Sequence, residues 1–321
     1  MSASLRYFYF HHYYIIIPMT KNLKNKKIIL DVDTGVDDAL AIIFLCAYCS
    51  KNIIGITTCG GNTSVQKTTK NTLAVLSLIN KKIPVYSGSA KPLAKKSYVY
   101  AEYYHGSDGL GDTNLKTKLK PAKISAVDFL IQSAKKYQKN LIIIGTAPAT
   151  NIAKAILKDK SFKKRLPQIY LMGGAINVLG NETPETETNF FQDPEAVQII
   201  IKNFSGVRII PLDVTNKTLI TLADLKKIKK CNRVQRFANQ LIINWFKIFG
   251  HRRQRQFELY DPLAVSAVFN NYLSFKKANI DIDIKNKRGR VVKGAYPISY
   301  AYRVRAADFK KIFIKTINNY C

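Results

Sequence analysis

Short runs of Ile, Val and Leu recur between helical periods along most of this chain, and that alternation restricts the fold more than any other feature. Residues 28–30 (Ile-Ile-Leu) run into Asp31, a helical period covers 39–49, and Ile-Ile-Gly-Ile-Thr-Thr at 53–58 reads as a second strand. A helix over 64–79 follows, then a helix over 126–137, a strand at 141–144, a helix from Asn151, a strand at 169–172, a helix from Pro194 and a strand at 207–211. Continuously apolar strands must be buried on both faces, the condition of parallel strands joined by crossover helices rather than hairpins. The spacing predicts an α/β fold with a mostly parallel central sheet covered by helices on both faces. Residues 221–269 read as mainly helical, and an amphipathic helix is expected near 307–317. No linker and no internal repeat calls for a cut, so residues 19–321 are expected to form one domain.

Of 321 residues 47% are apolar and 22% charged, proportions of a folded chain rather than a disordered one. Lys and Arg outnumber Asp and Glu by 51 to 21, a formal charge of +30. A field of that sign attracts nucleic acid, anionic membrane and phosphorylated solutes whatever the function. The excess is mostly Lys, dispersed from Lys21 to Lys315, and no nucleic-acid motif with interleaved aromatics accompanies it, so no specific nucleic-acid partner is expected. The five cysteines lack the spacing of a disulfide framework, which points to a reducing, cytoplasmic setting. Cys46 and Cys49 lie in an apolar helical run and read as buried helix positions. Residues 1–18 are aromatic and apolar but carry one Arg and no small-residue cleavage site; they read as a leader outside the fold, with Met19 a plausible start. No stretch reaches the roughly 18 uninterrupted apolar residues of a spanning helix, so no membrane partner is expected.

Acid is scarce, yet Asp31, Asp33, Asp37 and Asp38 crowd the end of the first strand. Alternation puts Asp31 and Asp33 on one side of the strand end, Gly35 permits a tight turn, and Asp37 and Asp38 open the next helix. A helix dipole favours carboxylates at 37 and 38 but leaves Asp33 unexplained. Carboxylates packed at a buried strand edge repel one another unless a cation or hydrogen-bond donors neutralise them, and hard oxygen ligands suit Ca²⁺ or Mg²⁺.

Two families end a strand in Asp-x-Asp. Phosphotransferases of the haloacid-dehalogenase type have nothing comparable at 37 and 38. The run Asp31-Val32-Asp33-Thr34-Gly35-Val36-Asp37-Asp38 resembles the opening Asp-x-Asp-x-Gly-x-Asp-Asp of the nucleoside hydrolase family. Further segments are similar to that family in the same order: Gly60-Gly61-Asn62, His105-Gly106 with Gly109-Leu110-Gly111-Asp112, and 145–153. Next come Met172-Gly173-Gly174 with 180–189 and Asp193-Pro194-Glu195-Ala196, and finally Asp261-Pro262-Leu263-Ala264. The resemblance covers about residues 27–270.

That resemblance implies a nucleoside hydrolase-like open α/β fold. It also implies Ca²⁺-dependent hydrolysis of the N-glycosidic bond of ribonucleosides, purine, pyrimidine or both, to ribose and free base. Nucleoside salvage and a homodimer or homotetramer are implied with it. Asp33, Asp38 and Asp261 would bind one Ca²⁺ through their carboxylates and Thr150 through its backbone carbonyl. Asp33 would be the general base, and Asp37, Asn62, Met172, Asn181, Glu187 and Asn189 would hold the ribose. His105 matches a His near the base. Inosine-uridine and pyrimidine-preferring members carry a His before the last Asp to help the base depart, and a purine-preferring group carries Trp there. Here the position is Tyr260, a weaker acid than imidazolium at neutral pH. Two alternatives follow: a catalytically impaired nucleoside or ribose binder, on account of Tyr260, and a basic nucleic-acid-binding protein, on account of the charge. The residues themselves allow a plainer role at two positions, since Asp193-Pro194 and Asp261-Pro262 both have the chemistry of a helix start. Asp193 is expected to be such a cap, and Asp261 a ligand. The basic run 252–255 is expected to be solvated.

Overall fold

Strand β1 (Lys27–Val32) buries both of its faces in the computed structural model, which describes residues 23–165, 168–249, 256–269 and 271–320. Ile28, Leu30 and Val32 point into one apolar core and Ile29 into a second on the other side of the sheet. The same two-residue period runs through β4 (Leu141–Gly145), where Ile142 and Ile144 join the first core and Leu141 and Ile143 the second. Parallel neighbours β2 (Ile53–Thr58) and β3 (Val85–Ser87) extend the sheet one way from β1, and β5 (Gln168–Met172) and β6 (Val207–Ile210) extend it the other way from β4. The leader read at 1–18 and the basic run at 252–255 lie outside the described residues.

Helices α1 (Val36–Cys49) and α2 (Val65–Leu78) pack on one face, as do α10 (Arg233–Ile248), α11 (Tyr260–Ser266) and α12 (Ala306–Asn318). The opposite face takes α4 (Ala126–Tyr137), α5 (Thr150–Lys158) and α7 (Pro194–Asn203). Short helices fill the connections: α3 (Glu102–His105), α6 (Thr188–Gln192), α8 (Leu212–Thr215) and α9 (Leu222–Leu225). α1 is apolar all round because it lies between the sheet and outer helices; Phe44 contacts Phe269, Phe309 and Phe313. Each fully buried side chain of this size contributes about 1.5–3 kcal/mol. Cys46 and Cys49 are buried free thiols of the same helix.

The sequence left part of the sheet unread. β9 (Leu273–Ile282), β10 (Val291–Lys293) and β11 (Tyr296–Val304) make an antiparallel edge, with β11 joining the parallel part beside β6. The full order is β10-β9-β11-β6-β5-β4-β1-β2-β3. A separate antiparallel pair, β7 (Leu219–Thr221) and β8 (Gln256–Glu258), interrupts the region expected to be mainly helical. Between β1 and β4 the winding direction reverses, and in doubly wound sheets ligands bind beyond the strand ends at that point.

Candidate active site

Three loops leave adjacent strand ends at this switch point. The β1 ladder runs one residue past the strands, with Thr146 N donating to the Asp31 carbonyl at 2.9 Å and Cys59 N to the Val32 carbonyl at 3.0 Å. Asp33, Asn62 and Thr146 are thereby brought together from β1, β2 and β4. Asn62 N donates to Asp33 Oδ2 at 2.8 Å, and Asn62 Nδ2 lies 3.3 Å from Asp38 Oδ2. Thr146 Oγ1 donates to Asp38 Oδ1 at 2.8 Å, and Gly35 N to Asp38 Oδ2 at 3.0 Å. So close an approach requires glycine at Gly61, where a Cβ would stand 2.0 Å from Asp33 Oδ2.

Asp261 enters from α11. The helix begins at Tyr260 with Leu259 as its N-cap, so Asp261 is not a cap, whereas Asp193 does cap α7 by accepting from Ala196 N at 3.2 Å. Carboxylate oxygens of Asp37, Asp38 and Asp261 lie within 4.8 Å of one another, all three residues being buried. Burial followed by the Asp38 charge pushes Asp37 up to about 8 and Asp33 well above the ordinary carboxylate range. Burial raises Asp261 in the same way, with Asp37, Asp38 and Asp33 adding repulsion. Asp33 Oδ1 and Asp37 Oδ1 are buried without a hydrogen-bond partner. An all-oxygen donor set with orphaned, mutually repelling carboxylates fits a hard divalent cation. Asp31 stands apart: Thr57 Oγ1 and Asn151 Nδ2 donate to its Oδ1 at 2.6 and 2.8 Å, tying β1 to β2 and α5.

Above the carboxylates opens a cavity of about 570 Å³. Asp37, Asn62, His105, Met172, Asn181, Glu187, Asn189, Tyr260 and Asp261 line it, and Asp33 and Asp38 sit immediately behind Asn62. Glu187 caps α6, its carboxylate accepting from Asn189 N, Phe190 N and Gly174 N at 2.8–3.1 Å; burial nevertheless lifts it to about 7. Asn189 Nδ2 donates to the Thr146 carbonyl at 2.9 Å, and Asn181 Oδ1 accepts from Thr188 N at 3.0 Å. His105 Nδ1 accepts from Val36 N at 3.2 Å, which assigns the ring proton to Nε2, and burial lowers its pKa to about 3. The ring is therefore a neutral donor at working pH.

Thr150 is not among the cavity residues. As the first residue of α5 it commits its carbonyl to the helix ladder, and its hydroxyl donates to Asp193 Oδ2 at 2.6 Å while accepting from Tyr98 at 2.8 Å. Thr146, which the sequence reading passed over, is the threonine that meets the carboxylates. Its position directly after β4 was the available signal. Glu258, Tyr104 and Phe249 also line the cavity without having been singled out. Among the described residues no Lys or Arg lines it, despite the charge of the whole chain.

The fold defines the class first. Superposed on the purine-preferring ribonucleoside hydrolase of Gardnerella vaginalis, the chain gives a TM-score of 0.86 at 32% identity, covering 92% of this chain and 99% of that one. The chain belongs to the family described as inosine-uridine preferring nucleoside hydrolase, whose model matches residues 28–312. It is 30% identical over 268 residues to uridine nucleosidase 1 of Arabidopsis thaliana, covering 81% of this chain and 79% of that one. It is 36% identical over 245 residues to the pyrimidine-specific ribonucleoside hydrolase RihA of Shewanella oneidensis, covering 74% and 76%. The chain is thus an N-glycosidase that hydrolyses ribonucleosides. Among the described residues no helix is long and apolar enough to cross a membrane.

Proposed function

We propose that this chain hydrolyses ribonucleosides of both base classes with Ca²⁺ as its cofactor. The observation that carries this reading is the buried carboxylate cluster with orphaned oxygens at the switch point of the sheet. Asp33, Asp38 and Asp261 would hold the ion, with the backbone oxygen coming from Thr146 rather than Thr150. When bound, Ca²⁺ supplies positive charge that offsets the carboxylates and orients hydroxyl and water oxygens. Asp33 takes the proton of the attacking water, since its Oδ1 has no other partner. Asp37 accepts from a ribose hydroxyl, and Asn62, Asn181, Glu187 and Asn189 fix the sugar with Met172 against its apolar side. Polar groups that match hydroxyls reject sugars lacking them, so ribose is preferred over 2′-deoxyribose. His105 donates from Nε2, and the Tyr260 ring stacks on the base, a contact largely indifferent to base class.

As the water attacks C1′ the N-glycosidic bond lengthens, and the flanking oxygens stabilise the positive charge that develops on the sugar. Residues 19–321 act as one domain in this reading. Free buried Cys46, Cys49 and Cys59 favour a cytoplasmic setting, and a homodimer or homotetramer is the assembly we carry forward from the resemblance. Ribose release from inosine, adenosine, guanosine, uridine and cytidine, with and without a chelator, tests the reading. Turnover that chelation abolishes and Ca²⁺ restores is the expected result; chelator-resistant turnover removes the ion, and no release from any nucleoside removes the reading.

A further inference from the structure

At the base end of the cavity stands a carboxyl that the reading above leaves without a task. Glu258 is the last residue of β8, held opposite Leu219 of β7, and the residue is 8% exposed. Its Oε2, the Tyr104 hydroxyl and the Trp245 indole N–H are all buried, and none makes a hydrogen bond of good geometry. Tyr104 lies between them: it helps hold the Glu258 proton affinity down and is itself influenced by Trp245. The rings of Tyr104 and Trp245 pack edge to face at 5.4 Å, and Trp245 packs on Phe257 at 5.1 Å, so Glu258 lines the cavity against an apolar backing. A buried acid on the lining of a cavity that among the described residues holds no Lys or Arg suits proton delivery to a flat heteroaromatic ring.

We propose that the Glu258 carboxyl is the acid that protonates the departing nucleobase. The assignment rests on the ribonucleoside reading of the cavity. Burial lifts Glu258 to about 7, so a large fraction carries its proton at neutral pH. Among the described residues the ionisable groups acting on it are Tyr104 on α3 and Tyr260 on α11; both phenols are raised well above their ordinary value by burial first and remain protonated. Asp37, across the cavity, acts on the same two phenols. His105 is neutral and cannot serve as an imidazolium acid.

In the step, the C1′–N bond breaks and its electron pair goes to the base. The Glu258 O–H proton goes to a ring nitrogen or carbonyl oxygen of that base. Water adds its oxygen to C1′ and passes one proton to Asp33 and then to solvent, and Glu258 regains a proton from solvent before the next turnover.

The test compares uridine and inosine with 4-nitrophenyl β-D-ribofuranoside, whose phenolate leaves without a proton, on the full chain with Ca²⁺ and on Glu258→Gln and Glu258→Asp. Glu258→Gln is expected to lower kcat on both nucleosides by about 10²–10³-fold and to change nitrophenyl riboside turnover by less than about 3-fold. It should also remove the alkaline limb of the nucleoside pH profile near 7, and Glu258→Asp should restore part of both. Equal losses on nucleoside and nitrophenyl riboside, a rise in KM with kcat kept, or no loss at all overturns the assignment. Wild-type protein that cleaves neither kind of substrate overturns the ribonucleoside reading as well.

Discussion

The carboxylate floor of the cavity hangs from hydrogen bonds at three parallel strand ends, whereas its aromatic wall comes from α3, α10 and β8, none of which belongs to the nine-stranded sheet. On the floor Asp38 accepts from Gly35 N, Thr146 Oγ1 and Asn62 Nδ2, three donors from three different loops that fix its position. At the wall, Tyr104, Trp245 and Glu258 touch with no well-formed hydrogen bond among their free polar atoms. A region whose geometry is fixed by several directional hydrogen bonds is suited to holding an ion and a sugar common to all substrates. A region held by ring packing can accept bases of different outline.

On that contrast, damage to the floor must cost far more than damage to the ring packing of the wall, Glu258 with its proton apart. Asp33→Asn should lower kcat by about 10³-fold or more on every nucleoside, read as ribose release. Chelation should lower turnover at least about 10²-fold, with recovery on adding Ca²⁺.

The ion-free protein should also show a distinctive pH dependence. Asp37, raised to about 8, and Asp31, raised to about 6, keep protons in the folded state that the unfolded chain has released. The stability they contribute is fully present below about pH 4 and is lost as pH rises to about 8, so Tm of the chelated protein should fall over that window. Added Ca²⁺ should raise Tm most at its upper end. A chelated protein whose Tm rises over the same window would mean that the acids are neutralised by groups other than a cation.

Gly61→Ala sharpens the comparison, because its Cβ would fall 2.0 Å from Asp33 Oδ2. A loss of about 1–3 kcal/mol in denaturant unfolding is expected, with turnover reduced even at temperatures where the variant is folded. The smallest effect belongs to the wall. Tyr260→Phe keeps the ring and removes a hydroxyl hydrogen-bonded to Asn181, so the ratio of purine to pyrimidine kcat/KM should move by less than about 10-fold.

The parts of the molecule that announced themselves in the sequence are those whose burial leaves no choice of residue. β1, β2, β4, β5 and β6 are apolar on both faces, and Asp31 to Asp38 stand out because acid is rare elsewhere. The antiparallel strands β9 and β11 escaped notice because they are half-exposed and carry Lys276, Lys277 and Arg303 among their apolar residues, which blurs the two-residue period. β8 is three residues long, too short for any period to register, and Glu258 belongs to no motif. Thr146 and Thr150 share one loop and one residue type. Only the direction of the chain leaving β4 separates the threonine that meets Asp38 from the one that ties α5 to Asp193.

Asp38 also says something about how the molecule comes into being. Its contacts with Asn62 and Thr146 join residues 24 and 108 positions apart, and each depends on a different strand lying in register against β1. Contacts of such long sequence separation form late and slowly. A nascent chain that has made β1 and α1 therefore has acids but no cage, and it gains one only when β4 docks. Uptake of a cation during refolding would time the closure of the sheet, an internal clock that a fluorescent metal indicator could read.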